Sequence, residues 1–243
     1  MQVNFENLNL KIGHEKIERI GNECKTKFFK FVGHHLDEHL TWDSQINHVS
    51  GKLASANYAI ARIKNFLPRH VRMTLYNSLF RSHMEFGVLA WGGVRPAKLK
   101  KITNLQKKCI RNVAGKTHRS HTDPLFSKLK TLKFNDLFNF NASVFMQKYA
   151  NNKQPSSFAN MFAPLLGNNR TNGFKIEKSK NAFLDQFPTF YLPKIWNNNN
   201  IQLKNNKSTG SFKNSLKKYL LSKYPEFVSC GDSLCSDCYP EKN

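Results

Sequence analysis

Residues 42–115, WDSQINHVSGKLASANYAIARIKNFLPRHVRMTLYNSLFRSHMEFGVLAWGGVRPAKLKKITNLQKKCIRNVAG, decide how this chain folds. Ile46, Val49, Leu53, Ala56, Ile60, Ile63 and Leu67 recur in alternating steps of three and four. That spacing lays one apolar stripe along one side of a helix, and Pro68 stops it. Pro68 also suits the first turn of a second helix, carried by Val71, Leu75 and Leu79 and closing near Gly87. Phe86 to Gly93, FGVLAWGG, reads as an apolar turn whose glycines permit a tight reversal. Pro96 opens a third helix with Leu99, Ile102, Gln106, Cys109 and Val113 inward and Gly115 as its stop. Its other side carries Lys100, Lys101, Asn104, Lys107, Lys108 and Arg111.

Charge gives these helices a direction. The 243 residues carry a net charge of +22, and 40% of them are hydrophobic, with 20 Phe. Such a chain is folded, and its field favours phosphate backbones or, less often, an anionic membrane surface. Residues 51–120 hold 15 Lys and Arg against one acid, Glu85, a local net of +14. A surface built only for solubility mixes both signs. The residues expected to meet a phosphate backbone are Lys98, Lys100, Lys101, Lys107, Lys108, Arg111, Lys116 and Arg119. Lys64, Arg69 and Arg72 form a second group.

Upstream, Leu8, Leu10 and Ile12 alternate, Gly13-His14 breaks the run, and Ile17 and Ile20 follow. KFFKFVG, Lys27 to Gly33, is an aromatic strand signal, with a turn at Asp37-Glu38 and Thr41 or Asp43 capping the first helix. These short strands have too little to bury alone. Downstream, Pro124 to Leu132 and a segment from Asn135 with Leu137, Phe138, Val144, Phe145 and Tyr149 read as helices, and Phe158 to Leu166 as another short one. Residues 167–206 are Asn-rich and read mostly as loop, with a small ordered piece at Leu192 to Trp196. Ser208 to Tyr224 is a last amphipathic helix on Phe212, Leu216, Tyr219 and Leu220. The expected organisation is a β segment over 1–40, a basic helical domain over 41–120, connector helices over 121–166, Asn-rich loop over 167–207, and a terminal helix with a Cys tail over 208–243.

No apolar run approaches the roughly 18 residues a membrane span needs. MQVNFENLNL has neither a basic start nor an apolar core, and the cysteine count of five is odd. The expectation is a reduced intracellular protein, nuclear or cytoplasmic, neither secreted nor membrane-bound. His35-Leu36-Asp37-Glu38-His39 spells H-x-x-E-H, a zinc protease pattern that requires a helix, but it falls where a turn is expected. Cys230, Cys235 and Cys238 follow C-x4-C-x2-C without a fourth ligand after them, so no zinc site is assigned.

In their order and spacing, these pieces resemble the C-terminal part of the reverse transcriptase of jockey-like long interspersed (non-LTR) retrotransposons. KFFKFVGHHLDEHLTW, Lys27 to Trp42, is similar to the junction between palm and thumb, although Lys30 and a His pair interrupt the usual pattern. In Ala61 to Gly93, Leu67-Pro68, Leu75-Tyr76, His83, Glu85, Gly87 and Trp91-Gly92 occupy the places of the thumb pattern. LQKKCIRNVAG, Leu105 to Gly115, PKIWN, Pro193 to Asn197, and SFKNSLKKYLLSKY, Ser211 to Tyr224, resemble later segments. The likeness spans roughly residues 8–225.

The resemblance implies a mostly α fold: a helical thumb-like bundle, a small N-terminal β remnant of a palm, and further C-terminal helices. It also implies a grip on RNA, DNA or an RNA–DNA hybrid through phosphates. Polymerase chemistry needs paired carboxylates for two Mg²⁺ ions. The seven Asp, at 37, 43, 123, 136, 185, 232 and 237, include no adjacent pair, so no catalytic residue is assigned. Mg²⁺ would belong to a palm outside this chain. The expectation is a fragment that binds template–primer backbone without sequence specificity and does not polymerise alone. Its rivals are an inert retroelement remnant, a protein-binding scaffold, and part of a full RNA-directed DNA polymerase whose catalytic region lies elsewhere.

Overall fold

The computed structural model describes residues 11–12, 15–16, 21, 27–165, 173–178, 181, 183–200, 204 and 208–225. Leu8, Leu10, Gly13, His14, Ile17, Ile20 and the cysteines of the tail lie outside them. The chain divides into two compact units, residues 1–45 and 46–243.

The first unit is built from hairpins. Strand β1 (Lys11–Ile12) pairs antiparallel with β2 (Glu15–Lys16), and β3 (Phe28–Phe31) pairs antiparallel with β4 (His34–Asp37). Phe31 faces His34, leaving Val32-Gly33 as a two-residue turn with φ of +46° and +81°. Both signs are positive, as the tight turn matching strand twist requires. Gly33 meets that need freely, whereas Val32, β-branched, is strained there. Asp37 ends the hairpin and organises the exit. Its carboxylate accepts from the amides of Thr41 at 2.7 Å and Trp42 at 2.9 Å, while its carbonyl accepts from Leu40 at 3.1 Å. His35 stacks on Phe28 with ring centroids 4.3 Å apart. It is therefore a strand residue, and the helix that H-x-x-E-H demands is not present.

Helix α1 (Asp43–Ile63) runs into the second unit and buries Ile46, Val49, Leu53, Ala56 and Ile60, but it ends at Ile63, short of Pro68, and Ile63 and Leu67 of the expected stripe are only half-buried. Helix α2 (Arg69–Leu75) runs directly into a π-helical turn, Tyr76–Arg81, and then α3 (Ser82–Glu85). Here the structure corrects the expected inward face. Val71 and Leu75 are only half-buried and Leu79 is exposed, while Tyr76, Phe80 and Met84 are fully buried. The wide turn keeps residues four apart on one side, so a stripe drawn for 3.6 residues per turn misses it. Tyr76 and Phe80 stack at 5.4 Å.

FGVLAWGG is likewise more than a turn. Gly87 takes φ +56°, and Val88–Trp91 forms the one-turn helix α4 with Val88 and Trp91 buried. Gly92 and Gly93 serve close packing rather than reversal. A Cβ on Gly92 would meet Phe138 at 2.6 Å, and one on Gly93 would meet Tyr191 at 2.7 Å.

Helix α5 (Pro96–Ala114) buries Leu99, Ile102, Gln106, Cys109, Ile110 and Val113. Gly115 ends it at φ +71°. Helices α6 (Asp123–Lys128), α7 (Phe134–Ala150), α8 (Pro188–Asn197) and α9 (Thr209–Ser222) follow. Helix α7 is its hub, packing against α4, α5, α8 and α9. Phe158 closes a single tight turn, Ser156–Phe158, instead of starting the short helix expected to Leu166; Pro164 bridges Phe174 instead.

The Asn-rich stretch carries more order than composition suggests. Helix α8 buries Tyr191, Leu192 and Trp196. Asn197, at its end, accepts from the Phe174 amide at 3.0 Å and donates to the Phe174 carbonyl at 2.7 Å. Asn199 donates to Ser143 Oγ at 2.8 Å. In α9, Phe212, Leu216 and Leu220 are buried as expected, but Tyr219 is exposed with Lys223 Nζ 4.3 Å from its ring centroid. Among the described residues, no helix is long and apolar enough to cross a membrane.

Candidate nucleic-acid interface

Helix α5 separates two chemistries around one axis. At 3.6 residues per turn, its six buried residues share one side. Lys100, Lys101, Asn104, Lys107, Lys108 and Arg111 fall within about 120° of arc opposite them. Lys100, Lys101 and Lys108 are exposed and Lys107 half-buried, and none of the four has an ion pair among the described residues. Lys98 lies off this face, half-buried at the edge of the buried stripe.

Arg111 carries the face onto the following loop. Its Nε donates to the Ser120 carbonyl at 2.7 Å, and the Lys116 amide donates to the Arg111 carbonyl at 2.9 Å. The loop bearing half-buried Lys116 and exposed Arg119 is thereby folded against the last turn of α5. The stretch's one acid, Glu85, is engaged by Arg81 at 2.8 Å.

The second cation group divides. Arg69 is exposed and Lys64 half-buried. Arg72 is turned inward as a brace. Its Nη1 donates to the Lys64 carbonyl at 2.9 Å, just past α1, and to the Asn112 carbonyl at 3.3 Å, in the last turn of α5. One guanidinium so neutralises two helix C-termini and pins them side by side. Its Nε is buried without a hydrogen-bond partner among the described residues, a cost the two carbonyl bonds offset. Asn112 Nδ2 also donates to Asn57 Oδ1 at 2.9 Å, a second tie between α5 and α1. Replacing Arg72 by Met should therefore cost about 2 kcal/mol in denaturant unfolding. The salt dependence of nucleic-acid binding should stay unchanged.

Other features were not legible as sites in the sequence. Lys130, Lys217 and Lys218 line a groove of about 530 Å³ with Ser127 and Asn214. The Lys217 ammonium is held below its ordinary pKa chiefly by burial, with Arg81 and Lys130 adding repulsion and Glu85 opposing them. These cations come from elements nearly ninety residues apart, so no local pattern joins them. A cavity of about 550 Å³ is lined by Tyr149, Phe158, Phe162, Phe174, Trp196 and Lys204, among others. Among the described residues, its lining holds amides, aromatics and one ammonium but no carboxylate, thiol or imidazole. Burial pushes the Cys109 thiol up to about 12, so it stays protonated at neutral pH and acts as a packing group. No cluster of three or more His, Cys, Asp or Glu that would hold a metal occurs among the described residues. Cys230, Cys235 and Cys238 lie outside them.

Comparison with protein-family models, with curated protein sequences and with solved structures returns no match.

Proposed function

We propose that the second unit binds the sugar-phosphate backbone of RNA, DNA or their hybrid without reading sequence, through the outer face of α5. One observation carries this reading. Five cations share an arc opposite a fully buried stripe, within a stretch of net charge +14. A helical arc that carries cations and no acid is suited to phosphates, which position a duplex without distinguishing bases. Lys100, Lys101, Lys107, Lys108 and Arg111 form the track, continued by Lys116 and Arg119, with Lys64 and Arg69 near its C-terminal end. The resemblance of Leu67-Pro68, Leu75-Tyr76 and Trp91-Gly92 to a reverse-transcriptase thumb supports the same assignment. In that reading, Mg²⁺ and the polymerising carboxylates belong to a catalytic part that would be this chain's partner. The working compartment is intracellular, nuclear or cytoplasmic, where such a duplex is met.

The test is binding of the purified chain to a labelled RNA–DNA duplex across a salt series. Log affinity is expected to fall linearly with log salt, with a slope of about −4 or steeper for five or more phosphate contacts. Absent binding, or a slope near zero, would overturn the reading.

A further inference from the structure

The track has an aromatic at one end. Phe66, in the loop between α1 and α2, is 83% exposed, the most exposed large apolar side chain described. The loop presenting it is fixed. The amides of Phe66 and Leu67 donate to the Ile63 carbonyl at 3.0 and 3.2 Å, and Arg72 holds the Lys64 carbonyl. Pro68 follows at φ −66°. A phenyl ring with no apolar cover is thus held out by a hydrogen-bonded backbone.

Its surroundings are cationic. Because Arg72 ties the Lys64 carbonyl to that of Asn112, the Phe66 loop lies beside the C-terminal end of α5, where Lys116 and Arg119 begin. Lys64 and Arg69 flank Phe66 in sequence. Tyr58, 65% exposed, and Arg62 lie one turn apart on the side of α1 away from its buried stripe. Asn57, the residue before Tyr58, is tied to Asn112 in the last turn of α5. Aromatic side chains set among cations, with backbone tracked alongside, are how proteins hold unpaired nucleotides.

We propose that Phe66 stacks on an unpaired base of a strand whose phosphates run along α5, so that the surface favours single-stranded or overhanging nucleic acid over blunt duplex. This rests on the backbone-binding reading above and adds a base-stacking site to it.

The experiment compares wild type, Phe66→Ala and Phe66→Trp on three probes: a single-stranded oligonucleotide, a duplex with a short single-stranded extension, and a blunt duplex. The first two carry 2-aminopurine in the unpaired segment. Phe66→Ala should weaken binding to the first two probes by about tenfold, within the range for one base–aromatic stack. It should leave blunt-duplex binding and the salt slope unchanged and abolish the 2-aminopurine quenching expected with wild type. Phe66→Trp should restore both affinity and quenching. At so exposed a position the substitutions should not disturb folding, which circular dichroism checks. Steep, salt-dependent wild-type binding with no effect of Phe66→Ala would overturn the stacking site alone. An equal loss on all three probes would overturn it too, assigning Phe66 a non-selective contact. Failure of wild type to bind any probe would overturn this site together with the backbone reading.

Discussion

Replacing Lys100, Lys101, Lys107 and Lys108 by alanine will flatten the salt dependence of nucleic-acid binding by between about three and four units of slope, and adding Arg111→Ala by about one more, at roughly 0.9 for each phosphate no longer neutralised. The four lysines are separated from Arg111 for a structural reason. None of them is held by an ion pair among the described residues, and alanine is the best helix former, so α5 should keep its fold. Arg111 also holds the Ser120 carbonyl at 2.7 Å, so its removal loosens the loop carrying Lys116 and Arg119 as well as deleting a charge. Two controls isolate the effect. Arg72→Met removes a cation of the same stretch that faces inward, and should leave the slope alone while lowering stability. Substituting Lys213 and Lys223 on and just after α9 removes two charges elsewhere and should change the slope by little. Unchanged binding in the four-lysine variant would sink the assignment of this face, whatever the rest of the chain binds.

How much of this was legible depended on whether a local pattern had one physical cause. The stripes of α1 and α5 were plain because each reflects burial of one side of a regular helix. Ile46 to Ile60 and Leu99 to Val113 are inside as their spacing demanded. Gln106 showed its place by sitting where an apolar residue belongs. The basic arc of α5 was legible for the same reason, being the complement of that stripe. The segment after Pro68 was not, because its π-helical turn changes the period. Tyr76, Phe80 and Met84 face inward while Leu79 does not. Glycine has two uses, and the sequence did not separate them. Gly87 is there for a positive φ, whereas Gly92 and Gly93 are there because Phe138 and Tyr191 come too close for a Cβ. The Asn row illustrates a different limit. Composition favours loop, but Asn197 and Asn199 hydrogen-bond Phe174 and Ser143, partners 23 and 56 residues away. Of the candidate cations, Arg72 was indistinguishable in sequence from Arg69. Only the two helix ends it bridges, Lys64 and Asn112, mark it as a brace.

Gln106→Leu will be the most damaging single substitution in the α5 core, costing about 3–5 kcal/mol, because this amide closes gaps that no local residue closes. Helix α7 begins at Phe134 after Lys133, a residue unable to cap it, and no side chain at that position bonds its free amides. Tertiary partners do so instead. Gln106 Oε1 accepts from the Phe134 amide at 2.8 Å, and the Lys133 amide donates to Tyr224 Oη at 3.0 Å, which in turn donates to Asp136. Gln106 Nε2 donates to the Leu132 carbonyl at 2.9 Å and to Tyr76 Oη at 3.0 Å. The side chain is fully buried, so water does not replace these partners in the folded state. Leucine matches its bulk approximately but strands the Phe134 amide and the Leu132 carbonyl, each at about 1–3 kcal/mol, and leaves Tyr76 one bond short. Hydrophobic gain from the new side chain offsets part of this, on the order of 1 kcal/mol. Gln106→Glu separates the two halves of the amide. It keeps an acceptor for Phe134 but turns the donor toward Leu132 into an oxygen, so its cost should grow as pH rises and the carboxyl is driven to ionise in a buried site. Urea denaturation followed by circular dichroism decides the matter. A stability for Gln106→Leu within about 1 kcal/mol of wild type, less than one stranded group costs, would show that the start of α7 is held mainly by Tyr224 and by the stacking of Phe134 on Trp91, at 5.7 Å, and not by this amide.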